Sequence, residues 1–412
     1  MTLSSPHQET RLTAKALDDM RPLKILMILH MPWTRDLGAP KVSVEIAEEL
    51  QKHGHQIDKF DIYDAFPKSS KLLAYFQMAL FPGRAARFVR AHGQRYDVIQ
   101  AEQGNLPYTK RELNFTGVLI ARTNGLAHFY DEYERNMKKK LLSRGERRGS
   151  LVGNTLRTVA KLMDGGLKNV ETSFDTADAI VLVNQDEMDF VGHNLGHADK
   201  SYFLPSGLSE DRFAEFAAWR VDPAERLPEQ QVVFVGQWGE RKGSDDFPNI
   251  VRLVRQEAPG ASFLLLGTGT SAEAVRACFS EQDRAAVKVV PRYSPPELPR
   301  LLAKSTVGIF PSYIEGFPSG VLEQLAGGLP TIAYDVPGTR EILKHFPGSV
   351  LVPAGDTEAA ANALVKLLGL PPQEYAIQSA HALKVADTFH WHATANQMLG
   401  IYADKLKELG RL

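Results

Sequence analysis

Apolar residues in this chain come in short, nearly unbroken runs separated by longer amphipathic stretches. Residues 23–29, 96–99, 117–121 and 179–183 form a first series. Residues 231–235, 262–266, 287–290, 307–310, 330–334 and 349–352 form a second. Runs this short and continuous predict parallel strands buried on both faces. The amphipathic stretches between them, such as 40–52, predict the covering helices. Two such series predict an α/β chain of two doubly wound, Rossmann-like domains, expected at 22–205 and 206–387, with a flexible extension at 1–21. The join is expected near Pro205-Ser206-Gly207, followed by a charged, proline-containing connection from Asp222 to Glu229. Ligands of open parallel sheets bind at the carboxyl ends of the strands, so a cleft between the two sheets is the expected site.

Length agrees with this division, because single cores rarely grow beyond ~250–300 residues and the chain has 412. Composition adds mainly exclusions. With 43% hydrophobic residues, 24% charged residues and a formal net charge of -1, nothing global points to nucleic acid. A lone cysteine, Cys278, excludes an internal disulfide and fits a reducing compartment. The first twenty residues are polar, and no apolar run reaches the ~18–20 residues of a spanning helix. A cytoplasmic protein is expected, with peripheral membrane contact left open.

Candidate chemistry concentrates in residues 311–330. Glu315 and Glu323 stand eight positions apart across a turn rich in Gly and Pro, directly after an expected strand. Ser319 is expected as the N-cap of a helix, with the amides of Gly320, Val321 and Leu322 facing the gap between the glutamates. Carboxylates suit sugar hydroxyls and helix-start amides suit phosphate, so the segment describes a nucleotide-sugar site.

With its surroundings, this segment resembles glycosyltransferase family 4, over roughly residues 22–405. Phe234-Val235-Gly236, Arg241-Lys242-Gly243, Leu266-Gly267-Thr268-Gly269, the two-glutamate segment and residues 337–342 occur in the family's order. The resemblance implies the GT-B fold, an acceptor-side domain at 22–205 rejoined by helix 388–412, and a nucleotide-sugar domain at 206–387. It implies that Glu315 lies near the donor sugar's hydroxyls and Glu323 at the ribose. Lys242 matches a lysine that holds the donor diphosphate, while Gln237 occupies the position of the family's arginine; Arg241 is a candidate substitute, although adjacent residues usually point apart. Gly38 matches a glycine of the first domain's diphosphate turn, which departs from the pattern at Ala39 and Pro40. His128 matches an active-site histidine, with Asn124 as a polar neighbour. The donor base is expected near Val290, with Arg292 or Tyr293 beside it, and Phe317 completes the donor set.

The implied reaction is retaining transfer of a sugar from a nucleotide-diphosphate donor, a UDP-sugar ahead of a GDP-sugar, to a saccharide or lipid-linked acceptor. Cell-surface polysaccharide or lipopolysaccharide synthesis is the expected setting. No cofactor is expected; Lys242 and helix amides would stabilise the leaving phosphate in place of a metal, and no Asp-x-Asp motif occurs. Residues 134–168 carry ten Lys/Arg against three acids with interleaved apolar residues, a pattern that suits either an anionic membrane surface or a solvated helix pair. Gly267-x-Gly269-x-x-Ala272 mimics a dinucleotide fingerprint, but it follows the second strand of its domain and the next strand ends without the ribose-binding acid. A binder or scaffold that has lost activity, and a GT-B epimerase or phosphorylase, remain as alternatives.

Overall fold

The computed structural model describes residues 20–35, 38–68, 71–143, 165–347 and 350–412. The chain divides into two compact units, one running to Pro205 and resuming at Trp391–Leu412, the other Ser206–His390. The extension at 1–19 and the centre of the basic segment, 144–164, lie outside the described residues.

The first unit is built on six parallel strands in the order β2-β1-β3-β4-β5-β6. They are β1 (Lys24–Ile28), β2 (Gln56–Phe60), β3 (Val98–Glu102), β4 (Val118–Arg122), β5 (Ala179–Leu182) and β6 (Ser201–Phe203). Helices α1 (Gly38–Lys52), α2 (Lys71–His92), α3 (Ala127–Ser143), α4 (Gly166–Thr176) and α5 (Gln185–Asn194) connect them. Alternation along the strands divides the core. Ile25, Met27, Val98, Val118 and Ile120 pack with Ile46 and Leu50 of α1, while Leu26, Ile28, Ile99 and Leu119 pack with Phe81 and Val89 of α2.

The second unit repeats this design with the strand order β12-β11-β10-β7-β8-β9. Its strands are β7 (Gln231–Val235), β8 (Ser262–Leu266), β9 (Val287–Val290), β10 (Val307–Phe310), β11 (Thr331–Tyr334) and β12 (Leu351–Val352). Its longer helices are α6 (Glu210–Ala218), α7 (Phe247–Glu257), α8 (Ser319–Ala326), α9 (Thr357–Leu368) and α10 (Pro372–Ala386). The last helix, α11 (Trp391–Glu408), belongs to the first unit. There Trp391 donates to Glu45 at 2.7 Å and the Tyr402 hydroxyl donates to Gln100 at 2.7 Å.

The segment 222–229 differs from the expected linker. It forms a short helix, Pro223–Arg226, and a 3-10 turn, Leu227–Glu229, inside the second unit. Asp222 caps the helix, and the buried Arg226 guanidinium donates to the Gly327 carbonyl at 2.7 Å, just past the end of α8. A cation at a helix C-terminus is favourable, so charges that looked like a solvated connection anchor α8 instead.

Candidate functional site

In the second unit β7 and β10 are hydrogen-bonded neighbours, although two strands separate them in sequence. The chain leaves β7 toward one side of the sheet and β10 toward the other, which opens a crevice at their carboxyl ends. The loops after these two strands carry Arg241 with Lys242, and Glu315. The first loop ends in a 3-10 turn, Glu240–Lys242, closed by Gly243 in the left-handed region (φ +79). A side chain at Gly243 would also stand 2.3 Å from the Pro311 carbonyl oxygen, so glycine is what lets the loops approach.

The approach brings three donors onto a single oxygen. Glu315 Oε1 accepts from Lys242 Nζ at 2.5 Å, Arg241 Nη1 at 3.0 Å and Ser312 Oγ at 2.7 Å. The two adjacent cations thus converge rather than point apart, because the 3-10 turn places both on the Glu315 side. Burial pushes the Glu315 carboxyl up, but the charges of Lys242 and Arg241 outweigh it and hold the group below the usual carboxylate range. Lys242 also lies over the Phe310 ring, 4.7 Å from its centroid. Gln237 is exposed in the same loop.

Glu323 is buried on α8 and has a partner that no local pattern announced. Arg212, on α6, reaches Glu323 Oε1 with Nη2 at 3.0 Å, while its Nη1 bonds Glu215 at 2.6 Å and the Pro295 carbonyl at 2.7 Å. Burial pushes Arg212 down, yet Glu323 and Glu215 outweigh it and raise its pKa. The Tyr293 hydroxyl is pushed well above the usual tyrosine range by burial first and by the Glu323 charge second. Its ring covers Gly267, where an added Cβ would meet Cε1 at 3.1 Å. Phe317 packs edge-on to Phe389 at 5.3 Å.

The start of α8 departs from expectation. Pro318, in extended conformation, is the N-cap, and Ser319 is the first helical residue with no side-chain capping bond. The proline's fixed φ sets the helix entry one residue earlier than a serine cap would. The amides of Val321 and Leu322 turn back to the Pro318 carbonyl at 3.1 and 3.5 Å, which leaves those of Ser319 and Gly320 as the outward-facing start of the helix. Gly320 allows that start to sit on β7: an added Cβ would lie 2.8 Å from the Val235 carbonyl oxygen.

Gly38 and His128 lie in the first unit. Gly38 is the first residue of α1, and the preceding Asp36 and Leu37 lie outside the described residues. His128 is in the first turn of α3, with Nε2 3.1 Å from Glu171 Oε1 and its ring 5.1 Å from that of Phe190. The turn that delivers it, 123–127, is held by two side chains. Gln103 donates to the Gly125 carbonyl at 2.6 Å and accepts from the Ala127 amide at 3.1 Å. The fully buried Glu187 accepts from Thr123 Oγ1 at 2.5 Å, the Leu126 amide at 2.9 Å and Asn184 Nδ2 at 3.0 Å. Burial pushes the Glu187 carboxyl up to about 7. Among the described residues, no group of three or more His, Cys, Asp or Glu is placed to hold a metal ion.

Two Rossmann-like units, each with an open crevice at a strand-order reversal, define the two-domain α/β architecture of GT-B glycosyltransferases. Solved structures bear this out. Sucrose-phosphate synthase from Thermosynechococcus elongatus aligns with a TM-score of 0.68 at 18% identity, covering 94% of this chain and 100% of that one. The Anabaena HepE structure in complex with UDP and glucose aligns with a TM-score of 0.62 at 16% identity, again over 94% and 100%. In sequence, residues 229–369 match the family described as glycosyl transferases group 1. The chain is also 23% identical over 432 residues to D-inositol 3-phosphate glycosyltransferase of Corynebacterium diphtheriae, covering 93% of this chain and 95% of that protein. Among the described residues no helix is long and apolar enough to cross a membrane.

Proposed function

We propose that the chain is a retaining glycosyltransferase of the hexosyl type. It moves a sugar from a nucleotide-diphosphate donor to a hydroxyl of a saccharide or lipid-linked acceptor, without a metal or other cofactor. The observation that carries this reading is the convergence of Lys242 and Arg241 on Glu315 at the β7/β10 crevice, beside the start of α8. Breaking the anomeric bond builds negative charge on the departing phosphate. Fixed cations and helix-start amides stabilise such charge without reorganising, the effect by which electrostatic sites lower barriers most. Glu315 both positions the cations and offers its second oxygen to the donor sugar. Glu323, steadied by Arg212, is the candidate ribose clamp, and Arg241 takes the role left by Gln237.

In this reading the second unit binds the donor and the first the acceptor, with His128 and the turn at Gly38 contributed by the first. The family match over 229–369 and the similarity to a glycosyltransferase along nearly the whole chain support it. That HepE was solved with UDP supports a UDP-sugar ahead of a GDP-sugar. A cytoplasmic protein of cell-surface polysaccharide or lipopolysaccharide synthesis, touching anionic lipid through 134–168, is the setting that fits the charge pattern. Salt-sensitive sedimentation with anionic vesicles tests that last point.

The function is tested by incubating the full chain with UDP- and GDP-sugars, with and without a chelator, and measuring nucleotide diphosphate release. Release that survives the chelator and rises with added acceptor is expected. A chain that binds these donors but releases no nucleotide is a scaffold, and the proposal falls.

A further inference from the structure

The first unit has its own strand-order reversal, between β1 and β3, and three side chains meet at its carboxyl edge. His30 follows β1, while Glu102 and Arg122 are the last residues of β3 and β4 and lie directly opposite each other in the parallel register. His30 Nδ1 stands 3.0 Å from Asn105 Oδ1 and 3.4 Å from Glu102 Oε2. Asn124 Nδ2 reaches Glu102 Oε1 at 3.4 Å. Around these contacts a set of buried polar atoms has no hydrogen-bond partner: Glu102 Oε2, Asn105 Nδ2, Asn124 Oδ1 and all three nitrogens of Arg122. Asn105 is 5% exposed and Arg122 is 2% exposed.

Each such atom costs on the order of 1–3 kcal/mol if nothing meets it, and here they gather at one edge. The fold can satisfy a buried carboxylate when the role is structural, as the donors around Glu187 in the first turn of α5 show. The open valences at Glu102 Oε2, Asn105 and Asn124 therefore point to a ligand. Two of them accept (Glu102 Oε2 and Asn124 Oδ1), and Asn105 Nδ2 donates. A hydroxyl both donates and accepts, so adjacent hydroxyls match this set. An anion does not match, because the Glu102 carboxylate stands among these groups with Oε2 open and would repel it. The Glu102 charge favours the charged form of Arg122, whose guanidinium lies 6.0 Å from the Trp391 ring centroid.

We propose that the carboxyl edge of β1, β3 and β4 binds adjacent hydroxyls of an uncharged sugar or polyol through Glu102, Asn105 and Asn124. This rests on the glycosyl-transfer reading and names its acceptor class: the part of the acceptor held by the first unit is a neutral diol.

The test is calorimetric titration of the full chain with D-glucose, D-mannose, myo-inositol, inorganic phosphate, UDP and GDP, repeated for Glu102→Gln and Asn105→Ala. At least one neutral polyol binds saturably, Glu102→Gln weakens it about ten- to a hundredfold, Asn105→Ala weakens it too, and nucleotide affinity stays unchanged. If Glu102→Gln does not fold, Asn105→Ala decides. The proposal is overturned if no polyol binds, if both variants keep wild-type polyol affinity, or if phosphate alone binds and Glu102→Gln tightens it. Absence of nucleotide binding in the wild type contradicts the glycosyl-transfer reading instead, whatever the polyols do.

Discussion

The two units share a topology but finish their crevices in opposite ways. In the second unit both glutamates of the crevice segment meet cations: Glu315 is held by Lys242 and Arg241, and Glu323 by Arg212. In the first unit Glu102 Oε2 accepts no hydrogen bond and has only His30 at 3.4 Å, and the guanidinium of its cationic neighbour Arg122 makes no hydrogen bond. The same edge of the sheet thus carries a preorganised charged site in one case and an open, hydroxyl-matching one in the other. Such a pairing suits a reaction between an anionic donor and a neutral nucleophile. It also shows that the chemistry resides in the side chains placed at the carboxyl edge and not in the shared sheet topology.

Removing the cation at the charged crevice strains this contrast most. Lys242→Ala is expected to slow nucleotide release about a hundred- to a thousandfold, as loss of one electrostatic donor does; steady-state kinetics check it. Next comes Arg212→Ala, which leaves the buried Glu323 without the cation that orients it. A loss of about 3–5 kcal/mol in denaturant-measured stability is expected, and Arg212→Lys should recover only part, since one ammonium cannot span Glu323, Glu215 and Pro295.

A third prediction concerns Glu187, the satisfied carboxylate of the first unit. Its folded pKa of about 7 exceeds its ordinary value of 4.5. The folded form therefore holds a proton that the unfolded chain has released between those values. The resulting stability is complete below about 4.5 and is lost as pH rises through about 7, a swing on the order of 3 kcal/mol. Comparing wild type with Glu187→Gln across this range should show the swing only in the wild type. The smallest effect is expected from Gly320→Ala, whose Cβ meets the Val235 carbonyl and the Phe310 ring. Overpacking of about 1–3 kcal/mol should lower Tm.

Most of the sheet architecture was legible because parallel strands covered on both faces are apolar throughout. The exceptions have physical causes. β2 is an edge strand with Gln56, Asp58 and Lys59 interrupting its apolar residues, and β6 is only three residues long. Lys242 and Glu315 could be singled out through motif order, and their meeting follows from the β7/β10 adjacency. Arg212 carried no local signal, since it lies 111 positions from Glu323 and pairs with it only through the fold. Neither Glu102 nor His30 belongs to a recognisable pattern. Ser319 misled because a serine before a helix usually caps it, whereas Pro318 already sets the entry.

The central claim is that the β7/β10 crevice holds a nucleotide diphosphate through Lys242. Titration of UDP and GDP into the wild type and Lys242→Ala tests it most directly. Saturable binding of one nucleotide, weakened about ten- to a hundredfold by the substitution, is the predicted result. Equal affinity in the two proteins, or no nucleotide binding to either, would contradict it.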